Sequence, residues 1–318
     1  MGTKKYVYYF GDGKAEGASG MKELLGGKGA GLAEMTNLKI SVPPGFTIST
    51  EACVEYYRRG KTYPPGMWEE ALQALKRVER SMGTGFGDPV DPLLVSVRSG
   101  ARASMPGMMD TVLNVGLNQR TVEGLAAKTR NERFALDSYR RFITMYGSIV
   151  LGIERERFEE VLTQMKAKRG VSQDTDLDAK ALQAVVVQFK DLVRHETGKD
   201  FPEEPLDQLK KAINAVFSSW YGKRAVEYRR IYSIPDTWGT AINVVAMVFG
   251  NMGDTSGTGV AFTRDPATGE HTFFGECLTN AQGEDVVAGI RTPLPVSALA
   301  KKMPGAYKDL VTTYRKLE

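Results

Sequence analysis

The chain has 318 residues, 42% of them hydrophobic and 25% charged, which is typical of a globular protein of roughly two domains. Its net charge of +4 is small and its basic residues form no long run, so neither composition nor charge indicates nucleic-acid binding. No stretch approaches the ~18 uninterrupted apolar residues of a membrane-spanning helix. Two distant cysteines, Cys53 and Cys277, argue against a metal cluster or a disulfide framework. We therefore expect no membrane association and a reduced compartment, the cytoplasm or, after removal of a transit peptide, an organelle lumen.

The first third of the chain alternates strand and helix signals. In chain order, the predicted elements are a strand at 7–10, a helix opened by the glycine turn 26–29, a strand at 46–48, a helix from Ser49 or Thr50 to about Arg59, a helix around 72–82 and a strand at 93–98. The last of these strands ends at Arg98, just before a turn rich in glycine and other small residues.

The remaining two thirds change character twice. Residues 121–200 are mostly helical in pattern, helix continues over 203–231, and the strands predicted after Pro235 cover 242–249, 259–263 and 272–278, followed by a helix at 306–318. We predict an α+β fold in three parts: an α/β part at 1–116, a helical insert at 117–200, and a third part at 201–318 with a helix and a largely antiparallel sheet.

The glycine turn Gly26-Gly27-Lys28-Gly29 is the first candidate for chemistry. Glycines let backbone N–H groups approach an anion, and a helix N-terminus and a lysine add positive charge. The spacing differs from that of a Walker loop, and no Ser or Thr follows Lys28. By itself the turn is explained equally well by a plain loop with a surface lysine.

The second candidate is the string 96–114. Arg98 at a strand end offers a fork of donors beside open backbone, which suits phosphate. Arg98 and Arg102 also fit ordinary ion pairs, and the methionines that flank Pro106-Gly107 are more often core filler than ligand contacts.

Weaker candidates follow in the last third. The strand within 243–251 suits an adenine edge, although a plain core strand explains it better, and the glycines of 256–266 suit either a hairpin or a phosphate tail. Glu276, Glu284 and Asp285 form the nearest thing to an acidic cluster, which suggests Mg²⁺ or merely surface acids. The two histidines, His195 and His271, lie in polar contexts and are interpreted as incidental.

Together these segments resemble the pyruvate, phosphate dikinase family over nearly the whole chain. The resemblance is strongest at 26–29, 96–114, 137–143, 256–266 and 280–293. The most specific string is Ser-Met-Pro-Gly-Met-Met-Asp-Thr-Val-Leu-Asn at 104–114. Related phosphoenolpyruvate synthases have a different loop there.

The resemblance implies an ATP-grasp nucleotide-binding domain with a helical insert, which binds Mg²⁺ with ATP and also binds inorganic phosphate. In that family the whole enzyme converts ATP, phosphate and pyruvate to AMP, pyrophosphate and phosphoenolpyruvate. The phosphoryl group passes through a histidine on a swivelling domain to a pyruvate-binding barrel, and the full-length protein is expected to be a homodimer.

The resemblance also assigns site residues. Lys28 and Arg98 match the catalytic pair that clamps the triphosphate. The resemblance places the family's metal ligands in strands beyond Glu318, so we expect the third part, 201–318, to be incomplete at its C-terminus. We therefore expect weak nucleotide binding and no turnover by this chain alone. The remaining ATP-binding positions are Met105, Pro106, Gly107, Met108, Met109, Asp110 and Thr111 in the phosphate-covering loop, and Ala246, Met247 and Val248 in the adenine strand.

Two alternatives stay open. One is a fragment of a phosphoenolpyruvate synthase-like dikinase, which uses water in place of phosphate; the Met-Pro-Gly-Met-Met string at 105–109 argues against it. The other is a non-catalytic nucleotide-binding module.

Overall fold

The structure is a computed structural model that describes residues 4–287 and 291–318. Contacts divide the chain into two compact units, one that ends at Met247 and one that runs from Val248 to Glu318. Among the described residues, no helix combines the length and apolar character needed to cross a bilayer.

The first unit contains eight strands and nine α-helices in its described residues. Its elements are β1 (Val7–Gly11), β2 (Lys14–Ala15), α1 (Lys22–Asn37), β3 (Gly45–Ile48), α2 (Thr50–Arg58), α3 (Met67–Met82), β4 (Gly85–Phe86), β5 (Pro92–Leu93), β6 (Val95–Gly100), β7 (Thr111–Val115), α4 (Gln119–Thr129), α5 (Glu132–Ile149), α6 (Arg155–Arg169), α7 (Ala179–Thr197), α8 (Pro205–Ser219), α9 (Lys223–Ile231) and β8 (Ala241–Ala246). The elements expected in the first third are present, with two differences in their bounds. The helical span α1 already begins at Lys22, before the predicted glycine turn, and the strand expected at 93–98 runs as β6 from Val95 to Gly100, so Arg98 lies inside it. The expected cap of α2 is formed by Ser49, which accepts a hydrogen bond from the Ala52 N–H.

Six strands form one sheet, in the order β2-β1-β3-β8-β6-β7, and every neighbouring pair is antiparallel. β8 lies between β3 and β6, although it follows them by well over a hundred residues. The strand expected at 242–249 therefore ends earlier, at Ala246, and belongs to this sheet rather than to the later hairpin. Its central place explains its near-continuous burial.

The stretch from 119 to 197 is helical, as predicted, and α5 is its most buried helix. Phe134, Tyr139, Phe142 and Tyr146 are all almost fully buried there, so the overlapping helical stripes are core positions. The helix also packs on β7, because the Asn114 side-chain amide donates to the Ser138 carbonyl at 3.4 Å.

The second unit is built on a three-stranded antiparallel sheet in the order β11-β10-β9. Its elements are β9 (Gly257–Phe262), β10 (Phe274–Thr279), α10 (Gly283–Val287), β11 (Leu294–Pro295), α11 (Leu299–Lys302) and α12 (Pro304–Leu317). Cys277, Val296 and Leu299 form its small core, against which Phe273, Met303 and Tyr307 pack. The expected hairpin and terminal helix are thus present.

The mixture of helices and antiparallel sheets confirms the α+β class. The predicted third part, 201–318, contributes β8 to the first unit's sheet and all of the second unit's sheet. The three-part division at 116 and 200 stays a prediction.

Candidate functional site

A kink at Gly26 divides α1 into two helical segments, and the glycine turn that begins the second segment is fastened to the end of β6. The Gly27 N–H donates to the Ala101 carbonyl at 3.0 Å, and Lys28 Nζ donates to the Ser99 carbonyl at 3.1 Å. Gly26 has φ 68° and ψ 173° inside the helical span, a region open essentially only to glycine. A Cβ atom at Gly26 would lie 1.7 Å from the Gly100 carbonyl oxygen, so this approach requires glycine. The two strings singled out in the sequence therefore meet.

A polar row crosses the sheet beneath this turn. Thr47, Asn243, Arg98 and Thr111 are direct partners in successive strands, so their side chains emerge on one face. Thr47 Oγ1 donates to Asn243 Oδ1 at 2.8 Å, and Asn243 is 1% exposed. Gly29 packs on this row, because a Cβ there would lie 2.8 Å from Thr47 Cγ2.

Two cations belong to this end of the sheet. The residues that flank Arg98 in β6 are buried, whereas Arg98 itself is exposed. Partial removal of the Lys28 ammonium from water lowers its pKa, and the Arg98 charge lowers it further, although the lysine side chain keeps an exposed surface. Two cations that repel each other in this way form a natural site for a polyanion, because a bound phosphate relieves the repulsion.

Residues 101–110 form what we call the methionine loop, between β6 and β7. Met105 is 7% exposed, Pro106 and Gly107 are exposed, and Met108 and Met109 are half-buried. The Met108 N–H donates to the Met105 carbonyl at 3.2 Å, so this N–H is occupied within a turn in the conformation described. The loop thus exposes Pro106 and Gly107 to solvent and buries the side chain of Met105.

The loop ends at Asp110 and Thr111. Asp110 is half-buried and lies 3.5 Å from Arg224. Burial raises the pKa of the Asp110 carboxyl, and the Arg224 charge opposes that shift. Thr111 begins β7 directly opposite Arg98, so the loop returns to the strand position that carries the arginine.

The predicted adenine strand lies at the end of β8. The Ala246 N–H donates to the Pro44 carbonyl and the Met247 N–H donates to the Leu94 carbonyl, each at 2.9 Å. Met247 ends the first unit, and Val248, which is 67% exposed, begins the second. Both N–H groups before Val248 are therefore engaged by protein backbone.

The structure describes two of the three acidic candidates, Glu276 and Asp285. Among the side chains that it describes, no group of three or more His, Cys, Asp and Glu could hold a metal ion. Glu276 is exposed, and Asp285 accepts a hydrogen bond from the Gln282 N–H at 2.9 Å. The side chain of Glu284 lies outside the described part of the structure, and so does the stretch 288–290 of the family-like string 280–293.

Within the first unit, the structure thus brings together Lys28, Arg98, Thr111 and the methionine loop. Thr47 and Asn243, which share the polar row, were missed by the sequence interpretation. The available signal was weak: each is a polar residue in an otherwise apolar buried strand.

Comparison with known families gives the class of the protein. The family model described as "Pyruvate phosphate dikinase, AMP/ATP-binding domain" matches residues 22–64 and 62–310. The chain belongs to this family, and the resemblance found in its sequence is confirmed.

Curated relatives agree with that membership. Pyruvate, phosphate dikinase 1, chloroplastic, of Oryza sativa subsp. japonica is 56% identical over 316 residues, which are 99% of this chain and 33% of the relative. Pyruvate, phosphate dikinase 2 of Zea mays is 56% identical over 316 residues, covering 99% of this chain and 36% of the relative. The corresponding chloroplastic protein of Mesembryanthemum crystallinum is 57% identical over 314 residues. The chain spans about a third of the length of the curated relatives it matches.

Proposed function

We propose that this chain is the ATP-binding part of a pyruvate, phosphate dikinase and that it binds ATP at the end of the six-stranded sheet. One observation supports the proposal above the others. The hydrogen bonds from Gly27 to Ala101 and from Lys28 to Ser99 fasten a glycine-rich helix N-terminus to the strand that presents Arg98. A helix N-terminus and two cations are parts that hold a triphosphate.

In this proposal Lys28 and Arg98 clamp the triphosphate and stabilise the charge of the transferring phosphoryl group. The methionine loop, from Met105 to Asp110 with Thr111 behind it, covers the phosphates. Since the Met108 N–H is occupied in its turn, the loop must rearrange there before that group can bind phosphate. Ala246, Met247 and Val248 provide backbone for the adenine, and the domain is of the ATP-grasp type with a helical insert.

The whole protein, in the same proposal, makes phosphoenolpyruvate, AMP and pyrophosphate from pyruvate, ATP and phosphate. It uses a phosphohistidine on a swivelling domain and a pyruvate-binding barrel, works as a homodimer, and is located in the cytoplasm or an organelle lumen. Mg²⁺ accompanies ATP. The residues named in this proposal contact the phosphates and the base.

ATP binding is tested on the chain itself by calorimetry. We expect weak binding by the unmodified chain, and Arg98→Ala should weaken it about tenfold or more, because a charge-assisted contact of ~1.5–3 kcal/mol is lost. Arg120→Ala is the matched control, an exposed arginine at the start of α4. Equal affinity in the unmodified chain and Arg98→Ala would remove Arg98 from the site.

The phosphate acceptor is tested on the complete polypeptide with radiolabelled inorganic phosphate, ATP and pyruvate. A dikinase that uses phosphate transfers a phosphoryl group to it, so the label appears in pyrophosphate. Phosphoenolpyruvate and AMP formed together with unlabelled phosphate, and without pyrophosphate, would instead support the water-using alternative, because water then accepts the terminal phosphoryl group. Nucleotide binding without either product would support the non-catalytic module.

A further inference from the structure

An apolar platform lies against the methionine loop within the first unit. We define this platform as Trp220, Ala225, Tyr228, Ile234 and Trp238, which come from the end of α8, from α9 and from the turn after it. Trp220 and Ala225 are fully buried and form one core cluster with Met105 of the loop. Met108 and Met109 pack on the same cluster, so all three methionines of the loop contact it.

Further contacts hold the loop near its start and its end. The Arg102 guanidinium lies 5.3 Å from the centre of the Trp238 ring, within cation–π range. At the other end Met109 Sδ lies 3.9 Å from Ser219 Oγ, and Asp110 lies 3.5 Å from Arg224. Residues of 219–238 therefore contact the loop along most of its length.

The platform is itself braced by a buried arginine. Arg229 is 1% exposed and its guanidinium lies 4.1 Å from the centre of the Trp220 ring. Arg229 Nε donates to Asp236 Oδ1 at 2.7 Å, and Trp220 Nε1 donates to the Asp236 carbonyl at 3.0 Å. These bonds join α9, the indole and the turn that carries Trp238, so the surface under the loop is fixed before any ligand arrives.

We propose that this platform positions the methionine loop for the nucleotide, with Trp220 and Trp238 as positioning residues. The inference rests on the proposed function of the loop. Residues 101–110 contain neither helix nor strand, and beside the backbone bonds at Ala101 and Met108 the loop is held by side-chain contacts with the platform. Ordering free backbone is entropically unfavourable, and a loop released from the platform would have to be ordered at the expense of ATP affinity. The platform thus preorganises the part of the site that lacks secondary structure.

The test removes one platform ring and compares it with a matched ring elsewhere. Trp238→Ala is compared with Trp68→Ala, since both tryptophans are half-buried and Trp68 stacks instead on Tyr63 at 6.0 Å. Hydrogen exchange followed by mass spectrometry reports the loop without nucleotide, and calorimetry reports ATP binding. We expect Trp238→Ala to speed exchange over 101–110 and to weaken ATP binding, each by about tenfold. Trp68→Ala should leave both unchanged at a comparable loss of thermal stability, and Trp238→Phe should restore most of both.

The outcomes separate this inference from the proposed function. If hydrogen exchange over residues 101–110 responds equally to Trp238→Ala and Trp68→Ala, the inference is overturned. It is also overturned if Trp238→Ala speeds that exchange but leaves ATP affinity unchanged. If Trp238→Ala does not fold, Met105→Ser removes the loop's own buried contact with the platform instead. Unchanged hydrogen exchange over residues 101–110 in that variant would also overturn the inference. Absence of ATP binding by the unmodified chain is instead a failure of the proposed function, because the exchange measurement needs no nucleotide.

Discussion

At the residue scale, the candidate site depends on the positions of its glycines as much as on its charged side chains. Gly26 permits the contact with Gly100, and Gly29 lets α1 pack on Thr47. Gly31, in the same helix, has open space where its Cβ would be. Only two of these three glycines are therefore required by the geometry of the turn, although all three look alike in the sequence.

Gly26→Ala is expected to destabilise the chain by about 2 kcal/mol or more, because alanine is strained at this φ and ψ and its Cβ collides with backbone. Gly31→Ala should instead stabilise it by about 0.5–1 kcal/mol, as alanine is favoured in a helix interior. Urea unfolding of both variants measures the difference. Equal effects would show that the turn can relax around a side chain.

Lys28 should make ATP affinity depend on pH in the alkaline range. Its pKa in the free protein is lowered from 10.5, so the ammonium loses its proton at a lower pH than an ordinary lysine. Since the protonated form binds phosphate, ATP affinity should fall as pH rises through that pKa, and binding should take up protons there. Calorimetry in two buffers of different ionisation enthalpy measures the uptake.

Lys28→Arg is the control for that measurement, because arginine stays charged throughout this range. Proton uptake that persists in Lys28→Arg would assign the effect to another group. The same shift acts on stability with a defined sign: the unfolded chain holds the Lys28 proton more tightly, so this group's contribution to stability rises with pH up to the unfolded pKa.

At the element scale, α5 illustrates how a recognisable string can be structural. Asp137 is 4% exposed, and its carboxylate accepts from Arg140 Nε at 2.8 Å and from Arg141 Nε at 3.0 Å. Burial alone would raise the pKa of Asp137, but the charges of Arg140, Arg141 and Arg133 outweigh it and hold the pKa below its usual value. The charged residues of 137–143 thus form a buried ion network on the helix that packs on β7.

Asp137→Asn is expected to cost about 3 kcal/mol at neutral pH, because it removes the buried carboxylate that pairs with both Arg140 and Arg141 and leaves Arg140 its ion pair with Asp174. The Asp137 contribution is present above the unfolded pKa near 3.9 and is lost as pH falls through the lower folded pKa, so the difference between variant and unmodified chain should shrink in acid. Denaturant unfolding at pH 7 and at about pH 3 measures both values.

Asp200→Asn is the matched control, since the Arg194–Asp200 pair has side chains 66% and 73% exposed. Exposed pairs contribute little, so its cost should stay below about 0.5 kcal/mol. A cost for Asp137→Asn no larger than this would contradict the view that the α5 network stabilises the fold.

At the scale of the whole molecule, the division after Met247 predicts which pieces fold. A chain ending at Met247 keeps all six strands of the large sheet, including β8. A chain ending at Thr240 lacks β8, so β3 and β6 lose their shared partner and the sheet is split. Circular dichroism and thermal melting should show cooperative unfolding for the first and none for the second. Cooperative folding of the chain that ends at Thr240 would show that β8 is dispensable.

The sequence by itself determined the features that depend on neighbouring residues: the helix that follows the glycine turn, the Ser49 cap, the strand that carries Arg98, and the strings that identify the family. Local periodicity, caps and turns carry this information because the interacting residues lie within a few positions of each other.

The tertiary structure alone decided that β8 is inserted between β3 and β6, and that the residues of 219–238 support the methionine loop. Thr47 and Asn243, which are hydrogen-bonded, are 196 positions apart. Met109 and Ser219 are 110 positions apart. Such distant pairs form because strand edges and apolar faces must find partners when the chain folds. The periodicity of the local sequence does not specify which distant segment becomes the partner.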